Sequence, residues 1–430
     1  MKLLIIGAGI SGLTLALRLH RIGIEVEIFE SADEIKPLGA GINLLPHATR
    51  ELAEIGILDE LIKVSVETSS YNFYTPSGKL ILSDKRGKNA GYDWPQLSIH
   101  RGQLQMILLN KVIQIIGADK IHYSHHLTKY KQDTDSITIY CGNNVNDNIK
   151  SYRGEAMIAC DGIRSAVREI MHPNEGELKY SGVTMYRGLT EMKPYLDGKS
   201  MLSFGHWNLK LIVYPIQPSS ASNGNQLLNW VAEVRGKKML NKADWNKQAS
   251  IEEFIDYYRD WTVDFLDLDT LFHNAGKIME FPMVDRDALA YWSDGRVTLL
   301  GDAAHPMYPI GSNGAGQAIL DVTALTNHVA ANADDIISAF KAYQQERIEP
   351  TAAVVESNRK LGPEYILEMV HQKCGKQNGK ECTCNDKVTC ISQDELRENF
   401  ELYKIVSGFE KYHLKDKGNI VIQHRPKEPA

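Results

Sequence analysis

The sequence contains no apolar run close to the ~20 residues that a membrane-spanning helix needs, so no membrane span is predicted. It has only six cysteines in 430 residues, too few for a scaffold held together by disulfides. It also lacks a basic excess, since 48 Lys and Arg face 54 Asp and Glu, and the net charge of -6 argues against a nucleic-acid partner. With 43% hydrophobic and 24% charged residues, it is typical of a soluble globular protein with room for two or three domains.

The opening stretch MKLLIIGAGISGLTLALRLH places a lysine before an apolar segment, as a signal peptide does. The glycines argue otherwise, because their spacing is that of a strand, a tight turn and a helix, and the apolar pattern continues amphipathically to Ile22. A strand over Lys2–Ile6, a helix over 11–22 and a second strand over 24–29 would form a βαβ unit. A cytoplasmic protein is therefore predicted.

The glycine motif GAGISG directly follows the first predicted strand. In such a motif one glycine makes a tight turn, one lets a pyrophosphate approach the backbone, and one lets the helix pack closely on the sheet. Glu30 follows at the end of the second strand, where a carboxylate accepts a hydrogen bond from a ribose hydroxyl. An acid at this point favours FAD or NAD over NADP. The predicted nucleotide contacts here are Gly7, Ala8, Gly9, Ser11, Gly12, Glu30 and Ser31.

Two further motifs lie far along the chain: IACDGIRSAVRE around Asp161, and GDAAHPMYPIGSNGAG from Gly301 to Gly316. The second leads from an apolar strand through a glycine-rich loop into a helix, an arrangement that holds anionic groups at a helix N-terminus. Taken in order, the three motifs resemble those of the flavin-dependent aromatic hydroxylases, the para-hydroxybenzoate hydroxylase-like group. The segments PLGAGINLLP, SIHRGQLQMILL, GVTMYRGLTE and FPMVDRDAL extend the resemblance, within that group, to bacterial phenazine-carboxylate monooxygenases.

The resemblance implies non-covalently bound FAD, with NADH or NADPH as co-substrate. Asp302 would accept hydrogen bonds from the ribityl hydroxyls, and the helix that begins near Gly314 would direct its positive end at the flavin. The DG motif, which includes Ser165 and Arg168, would serve both FAD and the nicotinamide donor. The other residues that the resemblance assigns to FAD are Gly41, Ile42, Arg101, Leu127, Asp161, Gly162, Gly301, Pro309, Gly311, Ser312 and Asn313.

The implied fold class is α/β, with a Rossmann-like FAD-binding domain, para-hydroxybenzoate hydroxylase-like, and an inserted antiparallel β-sheet substrate domain. The predicted division is 1–176 for the first part of the FAD-binding domain, 177–281 for the β-rich substrate domain, 282–369 for the second part, and 370–430 for a C-terminal tail. Arg187 is the best candidate for binding an anionic substrate, since a buried arginine needs a partner. The pocket candidates are Met185, Tyr186, Arg187, Ile212, Tyr214, Trp230, Met307, Pro309 and Ile310.

The resemblance implies a single-component monooxygenase that hydroxylates an aromatic or heteroaromatic ring, phenazine- or salicylate-like, with O2 and NAD(P)H through a flavin C4a-hydroperoxide. The cofactor carries this chemistry, so no catalytic side chain is assigned, although His305 is considered for acid–base work. The alternative is a non-hydroxylating FAD oxidoreductase or a flavin-binding sensor of the same fold. A monomer or homodimer is expected.

A cysteine cluster near the C-terminus contains Cys374, Cys382, Cys384 and Cys390. Structural zinc sites use pairs of cysteines spaced by two to four residues, with a matching second pair. The spacing here does not follow that pattern, so no metal is predicted. A redox-linked disulfide stays open as an alternative.

Overall fold

The computed structural model describes residues 1–143, 146–236, 247–374, 391–411 and 414. Its strands are β1 (Lys2–Ile6), β2 (Glu25–Phe29), β3 (Gly41–Leu44), β4 (Val66–Glu67), β5 (Ser70–Tyr74), β6 (Leu80–Lys85), β7 (Leu97–His100), β8 (Ile121–His122), β9 (His126–Gln132), β10 (Ile137–Asn143), β11 (Asn146–Gly154), β12 (Ala156–Ala159), β13 (Lys179–Met192), β14 (Ser200–His206), β15 (Leu209–Pro215), β16 (Gln226–Arg235), β17 (Met279–Asp285), β18 (Ser293–Asp294) and β19 (Val297–Leu299). Its helices are α1 (Ile10–Arg21), α2 (Pro46–Glu54), α3 (Leu58–Val64), α4 (Arg101–Ile115), α5 (Ala166–Met171), α6 (Leu268–His273), α7 (Gly314–Ala331), α8 (Ile336–Arg359), α9 (Tyr365–Cys374) and α10 (Gln393–Val406).

The βαβ unit at the N-terminus begins a sheet with the strand order β18-β19-β12-β1-β2-β8. β1 pairs in parallel with β2 and β12, and β12 pairs in parallel with β19. Because the carboxyl ends of parallel strands meet at one edge of a sheet, the loops after these strands lie side by side. Gly7 follows β1, Asp161 closely follows β12, and Asp302 closely follows β19. The three sequence motifs therefore meet at one edge.

A second, larger sheet has the strand order β17-β13-β16-β15-β14-β5-β6. The pairs among β13, β14, β15 and β16 are antiparallel, as the alternating sequence pattern predicts. β5 and β6 come from the first segment of the chain and join the sheet through a parallel pair between β5 and β14. The sheet thus extends beyond residues 177–281, and the division into domains stays a prediction.

Side chains of the larger sheet alternate between two faces, and only one face borders the cavity described below. Tyr186 and Trp230 lie on the other face, fully buried in a cluster with Phe254 and Phe272. The Tyr186 ring stacks on Phe254 at a centroid distance of 4.7 Å, and Trp230 meets Phe272 edge-on at 5.1 Å. The prediction that Tyr186 and Trp230 line the substrate pocket is wrong. Their sequence neighbours Arg187 and Val231 face the cavity, and adjacent residues of a strand point to opposite faces.

The last described helix, α10, packs against the body of the protein. Its residues Leu396, Phe400 and Tyr403 are buried. The Tyr403 hydroxyl donates to Asn358 Oδ1 at 3.0 Å. It also fills the space beside Gly311, where a Cβ would lie 2.0 Å from the hydroxyl oxygen. The C-terminal helix therefore supports the glycine-rich loop that follows β19.

Loss of the Tyr403 hydroxyl is expected to loosen this support. Tyr403→Phe keeps the ring but removes the hydroxyl that donates to Asn358 Oδ1. We therefore expect the free energy of unfolding to fall by about 0.5–1.5 kcal/mol. Chemical denaturation of the FAD-loaded protein measures this loss. Tyr365→Phe is the matched control, because the Tyr365 side chain is 41% exposed. Equal losses in the two variants would contradict the role given to the Tyr403 hydroxyl.

Among the residues that the structure describes, no helix is long and apolar enough to cross a membrane. No group of three or more His, Cys, Asp or Glu side chains in this part of the chain could hold a metal ion. Cys382, Cys384, Cys390 and the side chain of Cys374 lie outside the described residues. The absence of a metal from the cysteine cluster therefore stays a prediction.

Candidate functional site

Glycines let three elements meet closely at the edge of the parallel sheet. Gly7 has a φ of +100°, which side-chain-bearing residues rarely adopt, and a Cβ there would lie 2.5 Å from the Cys160 carbonyl oxygen. A Cβ on Gly12 would lie 2.0 Å from the Gly7 carbonyl oxygen. Gly9 differs, since no atom of the described residues lies within 4 Å of its hypothetical Cβ. Its backbone at the start of α1 is therefore open to an anionic ligand.

A first cavity lies beside the ends of β1 and β2, with Glu30 on its wall. The Glu30 carboxylate accepts hydrogen bonds from the backbone N–H groups of Ala8 and Ala32, both at 2.9 Å. A carboxylate has about four lone-pair sites, so it can still accept from a ribose hydroxyl. Ala8 is buried behind the wall and contributes through Glu30. The predicted cofactor residues on this wall are Gly7, Gly9, Glu30, Ser31, Arg101, Leu127, Asp161 and Gly162.

Glu30→Ala is expected to weaken FAD binding by about 1.5–3 kcal/mol, the value of a hydrogen bond to a charged group. The change also frees the two backbone N–H groups that Glu30 now holds. Titration of the apoprotein with FAD, followed by flavin fluorescence, measures the effect. Glu25→Ala, at the exposed start of the same strand, is the control. An unchanged FAD affinity would show that Glu30 does not hold the ribose.

Asp302 lines a second cavity, and its side chain is exposed there. Behind the loop, fully buried Asp321 accepts hydrogen bonds from His305 Nε2 at 2.5 Å and from Arg347 Nε at 2.8 Å. Burial alone would raise the pKa of Asp321, but His305 and Arg347 lower it. This network fixes the loop that carries Asp302. His305 is 4% exposed and lies behind the cavity wall, so the structure gives it a supporting role, and acid–base work by His305 stays an untested hypothesis.

The DG motif ties the loop after β12 to the loop after β19. Arg168, 1% exposed, binds Glu175 through Nε and Nη2 at 2.7 and 2.5 Å, and its Nη1 donates to the Ala303 and Ala304 carbonyls. Its guanidinium is enclosed by protein, so Arg168 supports the motif from behind, and the role of the DG motif toward the nicotinamide donor stays a prediction. Asp161 Oδ1 is buried and has no hydrogen-bond partner among the described residues. This oxygen is free to accept from a bound ligand.

The second cavity is closed on one side by the glycine-rich loop and on the other by β3. Gly311, with a φ of +69°, turns the loop so that its back contacts Tyr403. On the opposite side, the Gly41 N–H donates to Asn229 Oδ1 at 2.7 Å, and the Gly41 carbonyl accepts from the Tyr214 hydroxyl at 2.8 Å. The larger sheet therefore holds β3 in place at the cavity wall.

Most of the remaining predicted site residues lie on the wall of this second cavity, although their contacts with a ligand stay predictions. Met185 is not on the wall but touches Arg187, with Sδ 3.8 Å from Nη2. Gly12, Gly301, Gly311 and Ile310 are also not on the wall, and the three glycines shape the backbone behind it. The predicted residues on the wall are Gly9, Ser11, Gly41, Ile42, Arg101, Gly162, Arg187, Ile212, Tyr214, Asp302, Met307, Pro309, Ser312, Asn313 and Gly314.

A buried charge cluster at this wall was not predicted. Lys210 Nζ lies 3.0 Å from Glu233 Oε2 and hydrogen-bonds to Glu364 Oε2, and both carboxylates line the cavity. Burial alone would lower the pKa of Lys210, but Glu233 and Glu364 raise it. Burial raises the pKa of Glu233, and Lys210 opposes the change. The alternation with Ile212 and Tyr214 places Lys210 on the cavity face, but no local pattern points to Glu364.

The two cavities share Gly9, Arg101, Cys160 and Gly162 as lining residues, so they form one elongated site. One end has the glycine turn and acid that suit a nucleotide, and the other end is broad and bordered by the antiparallel sheet. The open backbone at Gly9, the free Asp161 oxygen and the exposed Asp302 side chain fit the phosphates and hydroxyls of FAD. Fold and site together define an FAD-dependent enzyme of the aromatic hydroxylase type.

The chain matches the FAD binding domain family over residues 1–358 and belongs to that family. It is 39% identical over 362 residues to phenazine 1,6-dicarboxylic acid hydroxylase PhzS of Lysobacter antibioticus, a match that covers 83% of this chain and 89% of that protein. It is 28% identical to 3-hydroxybenzoate 6-hydroxylase of Polaromonas naphthalenivorans, with 86% of this chain and 90% of that protein covered.

Solved structures show the same fold. Klebsiella pneumoniae HpxO complexed with FAD and uric acid superposes with a TM-score of 0.73 at 20% identity, covering 96% of this chain and 97% of that one. A salicylate hydroxylase substrate complex superposes with a TM-score of 0.71 at 20% identity, covering 95% and 98%. The predicted family, fold class and FAD cofactor are confirmed, and the chain is an FAD-dependent monooxygenase.

Proposed function

We propose that this enzyme hydroxylates an aromatic or heteroaromatic acid, phenazine- or salicylate-like, with O2 and with NADH or NADPH as co-substrates. The observation that carries the proposal is Arg187 on the cavity wall, which has no carboxylate partner among the described residues. Its Nε is buried and makes no hydrogen bond in this part of the chain. A guanidinium in that position is suited to bind the carboxylate of a ligand.

The rest of the wall suits a planar ring. Met201, Ile212 and Val231 present apolar side chains on the same sheet face as Arg187. Burial lowers the pKa of the Arg187 guanidinium, and the nearby Glu233 opposes the change. An arginine is charged throughout the physiological range, so Arg187 offers a fixed positive charge beside these apolar side chains, whereas the carboxylates of Glu233 and Glu364 on the same wall are paired with Lys210. This combination favours an aromatic acid over a neutral or cationic substrate.

The residues of the chain are proposed to bind the cofactor, to orient the substrate ring and to shield both from water. When bound and reduced, FAD supplies an activated oxygen derived from O2. The sheet wall would hold the ring opposite the loop of Pro309, Ser312 and Asn313, and Asp302 and the loop would keep the cofactor in place. Such chemistry requires no side-chain nucleophile, and exclusion of water is the main task of the protein.

Labelled oxygen tests the proposal. The FAD-loaded enzyme is mixed with NADH or NADPH, aromatic and phenazine carboxylic acids, and 18O2. We expect a ring acid to accelerate NAD(P)H oxidation and to gain one labelled oxygen atom. Rapid flavin reduction with no hydroxylated product from any ring acid would contradict the proposal and favour a non-hydroxylating oxidoreductase or a sensor. The same assay decides between the two nucleotides. The dependence on NAD(P)H suits a cytoplasmic enzyme, and a monomer or homodimer is expected.

A further inference from the structure

Three strands of the cavity face, β13, β15 and β16, bring three charged side chains to one wall, and Glu364 from the C-terminal part adds a fourth. Arg187 on β13 faces Val231 on β16, and the neighbouring pair on the same face is Met185 with Glu233. Glu233 is therefore one diagonal step from Arg187, within reach of a single bound ring. On the next strand, Lys210 is directly opposite Glu233. The positive and negative groups of the wall thus lie side by side.

Only one of the two carboxylate oxygens of Glu233 is paired with a charged group of the protein. Oε2 faces Lys210 Nζ at 3.0 Å, whereas Oε1 has no hydrogen-bond partner in the described part of the chain. Glu233 is 8% exposed, and what is exposed borders the cavity. Lys210 is shared with Glu364, whose Oε1 also accepts from the Tyr71 hydroxyl at 3.4 Å. The Glu233 carboxylate can be reached from the cavity, so a donor on a ligand would form a charge-assisted hydrogen bond with it in a poorly solvated space.

Without a ligand, the four charged side chains of the wall have a net charge of zero. Arg187 and Lys210 carry two positive charges, and Glu233 and Glu364 carry two negative charges. An acid bound to Arg187 adds a negative charge to a poorly solvated space. A hydrogen-bond donor on the same ligand, directed at Glu233, would offset that charge, since interactions of this kind are strengthened where water is excluded.

We infer that the substrate is an aromatic or heteroaromatic acid that also carries a hydrogen-bond donor, a ring N–H, amino or hydroxyl group, with its acid bound by Arg187 and its donor bound by Glu233. The inference rests on the proposed function, because it assumes that a ring acid occupies this cavity. It makes Glu233 a residue that determines specificity, with Lys210 and Glu364 holding its carboxylate in place.

Matched probes test the inference by binding to the FAD-loaded enzyme without turnover, followed by perturbation of the flavin absorbance. The pairs are 3-hydroxybenzoate with benzoate, and 6-hydroxyphenazine-1-carboxylate with phenazine-1-carboxylate. We expect the hydroxyl-bearing member of at least one pair to bind about 10–100-fold more tightly, the range for a hydrogen bond to a charged group. Glu233→Gln is expected to reduce that ratio to below about threefold, because the amide replaces a charged acceptor with a neutral one.

We expect the variant to fold, because Glu233→Gln leaves the buried Lys210 paired with Glu364. Glu280→Gln is the matched control, because Glu280 pairs with Lys247 and faces Tyr186 in the register, away from the cavity. This control is expected to keep the wild-type ratio.

The results separate this inference from the proposed function. Equal binding within both pairs, or an unchanged ratio in Glu233→Gln, would overturn the inference while hydroxylation of ring acids stood. Absence of any flavin perturbation by all four ring acids would overturn both. Should the variant fail to fold, the wild-type ratios decide alone.

Discussion

Gly12→Ala is expected to give a protein that purifies without colour and does not take up FAD. The Cβ added by this substitution would lie 2.0 Å from the Gly7 carbonyl oxygen, far inside van der Waals contact. The obstructing atom belongs to the backbone, and the Cys160 carbonyl leaves no space for Gly7 to move away. The contact can therefore be relieved only by a shift of the backbone, which costs free energy. We expect α1 to move away from the end of β1, with a loss of FAD affinity of at least about 3 kcal/mol, or more than about a hundredfold.

Absorbance at the flavin bands and titration with FAD measure this effect. Gly276→Ala is the control, since a Cβ there meets no atom within 4 Å in the part of the chain that the structure describes, and no positive φ is required. A yellow Gly12→Ala protein with normal FAD affinity would mean that the close approach of α1 to β1 is not needed for the cofactor.

Arg187→Met is expected to raise the KM for an aromatic acid by roughly 30-fold to 5,000-fold, because truncating one partner of a buried charge pair costs about 2–5 kcal/mol. Methionine keeps most of the side-chain volume, so the apolar wall of Ile212 and Val231 should stay intact. We also expect a larger share of the NAD(P)H consumed to appear as hydrogen peroxide, because a ring without its anchor is held in the wrong orientation. FAD affinity should not change.

Steady-state kinetics with product and peroxide quantified in the same reaction measure both effects. Arg235→Met is the control on β16, because Arg235 lies over the Trp207 ring at 4.2 Å and does not line the cavity. Wild-type KM and wild-type coupling in Arg187→Met would contradict binding of the substrate acid by Arg187.

Local sequence patterns predicted much of the cofactor end. GAGISG between an apolar strand and an amphipathic segment indicated β1 and α1. These features depend on turn chemistry and on periodicity within about 20 residues, so they can be read without knowing the rest of the fold. The order of the three motifs carried the resemblance that the family match later confirmed.

The substrate end was predicted less well, since it is built from contacts between distant parts of the chain. Alternation alone does not say which face of a strand borders a cavity, and Tyr186 and Trp230 were assigned to the wrong one. Arg168 has a motif position that suggests ligand contact, yet its hydrogen bonds to Ala303 and Ala304 enclose it. Neither outcome is encoded by neighbouring residues.

By itself, the sequence determined the cofactor class, the order of the motifs and the location of the nucleotide turn, because backbone conformation at Gly7 and Gly12 is a local property. Tertiary structure decided the electrostatics of the substrate wall. Glu364 joins Lys210 across a sequence separation of 154 residues, and α10 reaches back to support the loop at Gly311. Charge pairing and packing act through space, so these contacts exist only once the sheet, the glycine-rich loop and the C-terminal helices have come together.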